Sequence, residues 1–205
     1  WLLLRNGPGP PPYSAGPLAF KADVDAPARL STFEGDSSRT DSRVNLFGSG
    51  TILREVLAAS EMLEKEFGVP ADVFSATSFS ELRREALDAE RWNLLHPDHQ
   101  PRIPYVRNCL AGHAGPFVAA TDYMRSVPNQ IRQWVPGRYH VLGTDGYGRS
   151  DSRAALRGFF EVDRRYVVIA ALKALADEGR LDVATVKGAI ERFGIDPDKP
   201  NPVTV

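Results

Sequence analysis

Val44-Asn-Leu-Phe-Gly-Ser-Gly-Thr-Ile-Leu-Arg-Glu-Val-Leu-Ala-Ala-Ser-Glu-Met-Leu-Glu-Lys-Glu-Phe-Gly68, followed by Asp72-Val-Phe-Ser75, sets out a strand, a helix and a second strand in order. The short apolar run 44–47 is closed by the breaker pair Gly48 and Gly50. Over 51–67, Ile52, Val56, Ala59, Leu63 and Phe67 recur at helical spacing, while Arg54, Glu55, Glu61 and Lys65 fall on other faces. Gly68 is the residue type that ends a helix in the left-handed region.

Working outward, the alternation continues. Ser78-Phe-Ser-Glu81 has the spacing of a capping box and opens a second helix through about residue 92. A loop containing Pro and His covers 93–104, and a short helix spans 105–110. Pro116-Phe-Val-Ala-Ala-Thr121 reads as a third strand and Tyr139-His-Val-Leu142 as a fourth, with a helical stretch at 123–135 broken by Pro128. Three helices follow, at 153–161, 164–177 and 183–193. The second is mostly apolar, through Tyr166-Val-Val-Ile-Ala-Ala-Leu-Lys-Ala-Leu175, and is expected to lie buried against the sheet or against another subunit. Short strands alternating with helices predict an α/β fold, a three-layer sandwich around a mostly parallel sheet.

Residues 1–43 read differently. Asn6-Gly-Pro-Gly-Pro-Pro-Pro-Tyr-Ser-Ala-Gly-Pro17 is dense in chain breakers, and polar residues without apolar periodicity follow it. Such a segment buries too little apolar surface to offset its ordering entropy. The expectation is a disordered or foreign arm over 1–43 ahead of a folded domain over 44–205.

Composition narrows the function. The 205 residues are 42% hydrophobic and 25% charged, with 25 basic and 26 acidic side chains and a formal net charge of −1. That balance argues against a nucleic-acid surface, which needs clustered Lys and Arg. The single cysteine, Cys109, excludes an intramolecular disulfide framework and suits a reducing compartment. No apolar run is long enough to span a membrane. A cytoplasmic protein with neither membrane nor nucleic-acid partner is expected.

The loop Gly143-Thr-Asp-Gly-Tyr-Gly-Arg-Ser-Asp151 lies between a strand and a helix. A dinucleotide fingerprint needs a third glycine where Asp151 stands, and a P-loop needs a terminal Gly-Lys-Ser/Thr. A tight turn with Asp151 as helix cap fits better than a phosphate site. Arg149 is positioned to meet an acidic group on a neighbouring domain. His96-Pro-Asp-His99 holds metal-ligand types, but Pro97 breaks any helical face and no second pair completes a tetrahedral set. His113 is isolated, and so is His140, which suits a partly buried strand imidazole. Cys109 reads as a small core residue rather than a nucleophile. No catalytic, cofactor-binding or metal set emerges from the residues.

Longer stretches carry a resemblance. Leu46-Phe-Gly-Ser-Gly-Thr-Ile-Leu-Arg-Glu-Val56, Ser78-Phe-Ser-Glu-Leu-Arg-Arg84, Glu90-Arg-Trp-Asn-Leu-Leu-His-Pro97, Ala119-Ala-Thr-Asp-Tyr123, Leu142-Gly-Thr-Asp-Gly-Tyr-Gly-Arg-Ser-Asp151, Phe160-Glu-Val-Asp163 and Gly194-Ile-Asp-Pro-Asp-Lys-Pro-Asn-Pro202 resemble the carboxy-terminal domain of the bacterial homodimeric pyruvate dehydrogenase decarboxylating component, a transketolase-like family. The resemblance implies a transketolase carboxy-terminal-domain-like fold within a much longer chain. That chain decarboxylates pyruvate on thiamine diphosphate with magnesium and reductively acetylates lipoyl groups, giving acetyl-CoA in the whole complex. Its implied partners are a homodimer mate and the dihydrolipoyl acetyltransferase core.

This sequence departs from the family pattern. It has no Gly-Asp-Gly motif with downstream Asn to hold magnesium and the diphosphate, and Thr144-Asp-Gly146 is no equivalent. It also lacks the segments for the activating glutamate and the substrate-facing histidines. No thiamine diphosphate or magnesium is therefore expected on this chain alone, and the fragment is expected to be inactive by itself. The alternative is a non-enzymatic dimerisation or docking module. Asp145, Gly146, Tyr147, Gly148 and Arg149 are the candidate interdomain loop.

Overall fold

The computed structural model describes residues 42–205 and the backbone of residues 2–5. Residues 6–41, on which most of the arm reading falls, lie outside the described residues. The elements run β1 (Leu2–Arg5), β2 (Val44–Gly48), α1 (Leu53–Phe67), β3 (Ala71–Ala76), α2 (Phe79–Leu95), α3 (Tyr105–Cys109), β4 (Phe117–Ala120), α4 (Ser126–Asn129), β5 (Tyr139–Leu142), α5 (Arg153–Phe159), α6 (Arg164–Asp177) and α7 (Val183–Arg192). They form one five-stranded sheet in the order β1-β3-β2-β4-β5. β2 pairs in parallel with β3 and β4, and β4 with β5. At the far edge β1 pairs antiparallel with β3, from Leu2 opposite Ala76 to Arg5 opposite Val73. That strand is not anticipated by the sequence reading, because four residues beside a Pro/Gly-rich stretch carry no alternation to detect.

The pleat of the central strands divides the core in two, since successive side chains face opposite sides. Val44, Leu46, Val73, Val118 and Ala120 point to one face, where they pack with Val56, Ala59 and Leu63 of α1 and with α6 and α7. Phe47, Phe74, Phe117, Ala119 and Tyr139 point to the other, against α2, α3 and the segment around Ile131 and Trp134. The rings of Phe47 and Phe74 stack with centroids 5.0 Å apart, and Tyr139 meets Phe47 edge-on at 6.1 Å. The result is the expected three-layer sandwich.

α6 is the helix at the centre of its layer. Val167, Val168, Ala171, Leu172 and Leu175 are all buried, and the helix contacts α1, α7, β4 and β5. Its apolar residues are thus consumed within the fold.

The helix termini follow local chemistry. Gly68 ends α1 in the left-handed conformation, φ 65°. Ser78 Oγ accepts from Glu81 N at 3.2 Å, yet the return half of the capping box is absent, because the Glu81 carboxylate pairs with Arg84 instead. Asp163 caps α6 and Asp182 caps α7. Among the described residues no helix is long and apolar enough to cross a membrane.

Candidate functional site

In parallel α/β sheets, ligand crevices form outside the carboxyl ends of strands where successive connections diverge. Here the chain leaves β2 toward β3 and leaves β4 toward β5, so the divergence falls between β2 and β4. The segments leaving these strands are Gly48-Ser-Gly-Thr51 and Thr121-Asp122. Gly48 has no side chain because a Cβ there would stand 2.8 Å from Leu53 Cα, so α1 presses directly on the strand end.

The crevice is filled by Arg157, which α5 sends in with only 8% of its surface exposed. Its Nε donates to Asp122 Oδ1 at 3.0 Å and its Nη2 to Asp122 Oδ2 at 2.7 Å, a bidentate pair. The same Nη2 donates to Thr51 Oγ1 at 3.1 Å, and the Thr51 hydroxyl donates to Asp122 Oδ2 at 2.9 Å. Nη1 lies 3.5 Å from Glu55 Oε1. Glu55 in turn accepts from Arg164 Nε at 2.8 Å and Nη2 at 3.1 Å. Five side chains from four segments form one network.

The electrostatics agree with the geometry. The Arg164 hydrogen bond is the largest influence on Glu55 and holds its carboxyl below the usual range against the opposing effect of burial. For Asp122, burial alone acts to raise the pKa, but the hydrogen bonds from Arg157 and Thr51 together outweigh it, and the net direction is down. The hydrogen bond to Asp122 raises Arg157 further above its ordinary value. With Glu55 and Asp122 held ionised and Arg157 held protonated, the network ties the ends of β2 and β4 to α5 and α6 through charge-assisted hydrogen bonds.

None of Thr51, Glu55, Asp122, Arg157 or Arg164 is singled out by sequence reasoning. Glu55 reads as a surface charge of α1, and 109 positions separate it from Arg164. The available signal was an acid placed directly after an apolar strand, at Asp122.

The 143–151 loop lies on the same carboxyl edge. Asp145 Oδ1 accepts from Arg125 N at 3.0 Å, and its Oδ2 pairs with Arg125 Nε at 2.7 Å. Gly146 adopts φ 109°, and a Cβ there would stand 2.6 Å from Pro202 O, so the loop packs on the tail that follows Gly194. Lys199 fastens that tail, donating to Phe159 O at 2.7 Å and Gly158 O at 3.3 Å. Tyr147 is 77% exposed. Gly148 stands in open space. Arg149 lies over the Phe159 ring at 4.1 Å, an intradomain contact. The cap of α5 is Ser152, whose hydroxyl accepts from Ala155 N, and Asp151 accepts from Ser152 N; this corrects the assignment of Asp151 as the cap.

The other residues weighed from sequence have structural partners. His96 stacks on Trp92 with centroids 4.4 Å apart, Arg102 covers the Trp92 ring at 4.1 Å, and His99 Nδ1 lies 2.9 Å from Asp98. His113 Nδ1 lies 3.1 Å from Asp72 Oδ2, while Asp72 Oδ1 accepts from Arg43 at 2.7 Å. Partial burial of the His140 ring, with Arg132 and Arg138 nearby, lowers its pKa. Burial raises the Cys109 thiol, which removes thiolate character. With both Asp145 oxygens engaged by Arg125, and no group of three or more His, Cys, Asp or Glu arranged to hold a metal among the described residues, these residues do not fit a magnesium–diphosphate group.

Residues 33–163 match the family model described as the transketolase-like TK C-terminal domain. The chain is 56% identical over 171 residues to the pyruvate dehydrogenase E1 component of Pseudomonas aeruginosa, covering 83% of this chain and 19% of that protein. It is 55% identical over 163 residues to the same component of Cupriavidus necator, covering 80% and 18%. It is 51% identical over 175 residues to that of Escherichia coli, covering 85% and 19%. The chain thus spans about a fifth of the length of these relatives.

Proposed function

The chain belongs to the transketolase-like C-terminal domain family, and from that premise we propose that it serves as the carboxy-terminal domain of a pyruvate dehydrogenase E1 component, as a structural rather than a catalytic part. The observation that carries this reading is the continuous identity of 51–56% with E1 components across 80–85% of the chain. Filling of the switch-point crevice by Arg157 supports the structural role, since the place where such sheets take ligands is occupied by the domain's own side chain.

In this reading the whole component decarboxylates pyruvate and acetylates lipoyl groups, with thiamine diphosphate and magnesium held by domains outside this chain. This domain's residues contribute a rigid wall. The Arg157 network holds the carboxyl edge in place, the Lys199 tail supports the 143–151 loop, and Tyr147 projects from that loop toward a neighbouring domain. A homodimer mate and the acetyltransferase core of the complex are the proposed partners, in the cytoplasm.

Exposed Tyr123, Met124 and Tyr147 on carboxyl-edge segments favour a second role, assembly. The apolar α6 does not add to it, being buried inside the fold. Supplying the isolated chain with thiamine diphosphate, magnesium, pyruvate and a redox dye tests the main reading: no dye reduction is expected. Measurable decarboxylation would overturn the assignment of catalysis to other domains.

A further inference from the structure

Beside the Arg157 network, the start of α5 and the first turn of α6 enclose an open depression of about 420 Å³. Arg153, Arg157, Arg164 and Arg165 line it, against only two carboxylates, Glu55 and Asp163. Both carboxylates are already saturated. Glu55 takes Arg164 bidentately and also accepts the Arg164 backbone N–H at 3.2 Å. Asp163 Oδ2 takes Arg165 Nε at 3.0 Å and Nη2 at 2.7 Å, and its Oδ1 caps α6.

The donor inventory leaves an imbalance. A guanidinium carries five N–H groups. Arg164 and Arg165 commit Nε and Nη2 to their carboxylates, which leaves Nη1 of each uncommitted among the described residues. Their side chains are 49% and 42% exposed, so these groups are accessible. Arg153 has no hydrogen bond or ion pair among the described residues. With Asp122 paired to Arg157 at the floor, the four arginines face three carboxylates and one positive charge is in excess, while ion pairs fix the guanidinium planes of Arg164 and Arg165. The unpaired Arg153 beside two fixed guanidinium edges suits the several oxygens of a phosphoryl group.

We propose that this depression is a binding site for a phosphate or diphosphate group, held by Arg153 and by the outer edges of Arg164 and Arg165, with Arg157 as its floor. The shared chemistry is a multiply charged phosphoryl group, whether free or carried on a small molecule. The site is separate from the proposed role of the domain, and its occupancy is measured without pyruvate turnover.

The test is calorimetric titration of the full chain with inorganic phosphate, inorganic diphosphate and adenosine monophosphate, each matched in ionic strength with sodium chloride. Saturable binding is expected, tighter for diphosphate than for phosphate; adenosine monophosphate distinguishes an ester-borne group from the free ion by binding more tightly than phosphate. R153Q and R165Q are each expected to weaken diphosphate about tenfold, as for loss of a charge-assisted hydrogen bond. R83Q, on the exposed face of α2, should leave affinity unchanged, and circular dichroism checks that each variant is folded. Absence of saturable binding by all three probes overturns the proposal. So does equal weakening by R83Q, or an affinity that R153Q and R165Q leave intact.

Discussion

Arg157 is a nearly buried cation whose partners come from the ends of two neighbouring strands and from α1. Removing one member of such a pair strands the other, which costs more than the pair contributes when complete. Because Asp122 is 36% exposed, the cost is discounted from that of a fully buried pair. Arg157→Ala is expected to lower stability by about 2–3 kcal/mol in urea unfolding. Arg157→Lys should recover little, since an ammonium cannot reproduce the bidentate contact. The same network sets an acid limit. Asp122 and Glu55 have folded pKa values below their unfolded ones, so the stability they contribute is fully present above the unfolded values. It is lost as pH falls through the folded values, below roughly pH 4. Melting temperature should drop across that window, and the drop should be shallower in Asp122→Asn; an unchanged slope in that variant would place the acid sensitivity elsewhere.

Among the helices, α6 buries the most residues. Leu172 is fully buried between α1, α7 and the strands, and Leu172→Ala is expected to cost about 2–5 kcal/mol in denaturant unfolding. A loss under 1 kcal/mol would mean that this layer is loosely packed. The helices and parallel strands were legible because periodicity and caps act locally: Val56, Ala59 and Leu63 mark the α1 face, and Asp182 marks the start of α7. Ser152 displaced Asp151 as cap because neighbouring polar residues compete for one position, and spacing alone does not choose between them. β1 was not legible, since its pairing with β3 depends on a partner about 70 residues away. The Arg157 network was hidden for the same reason: Thr51, Glu55, Asp122 and Arg164 meet only after the sheet and two helical layers close.

At the scale of the whole molecule, the sheet is covered on both faces, its carboxyl edge is tied by ion pairs, and the tail is fastened against α5 by Lys199. The segment it matches is about a fifth of the length of its relatives. The most direct measurement replaces the matching segment of the Pseudomonas aeruginosa E1 component with residues 44–205 of this chain and assays pyruvate decarboxylation. The chimera is predicted to fold and to keep the parent's activity, with Arg157→Ala in the graft lowering its thermal stability. A chimera that fails to fold, or that folds without activity, would contradict the assignment of this chain as that component's carboxy-terminal domain.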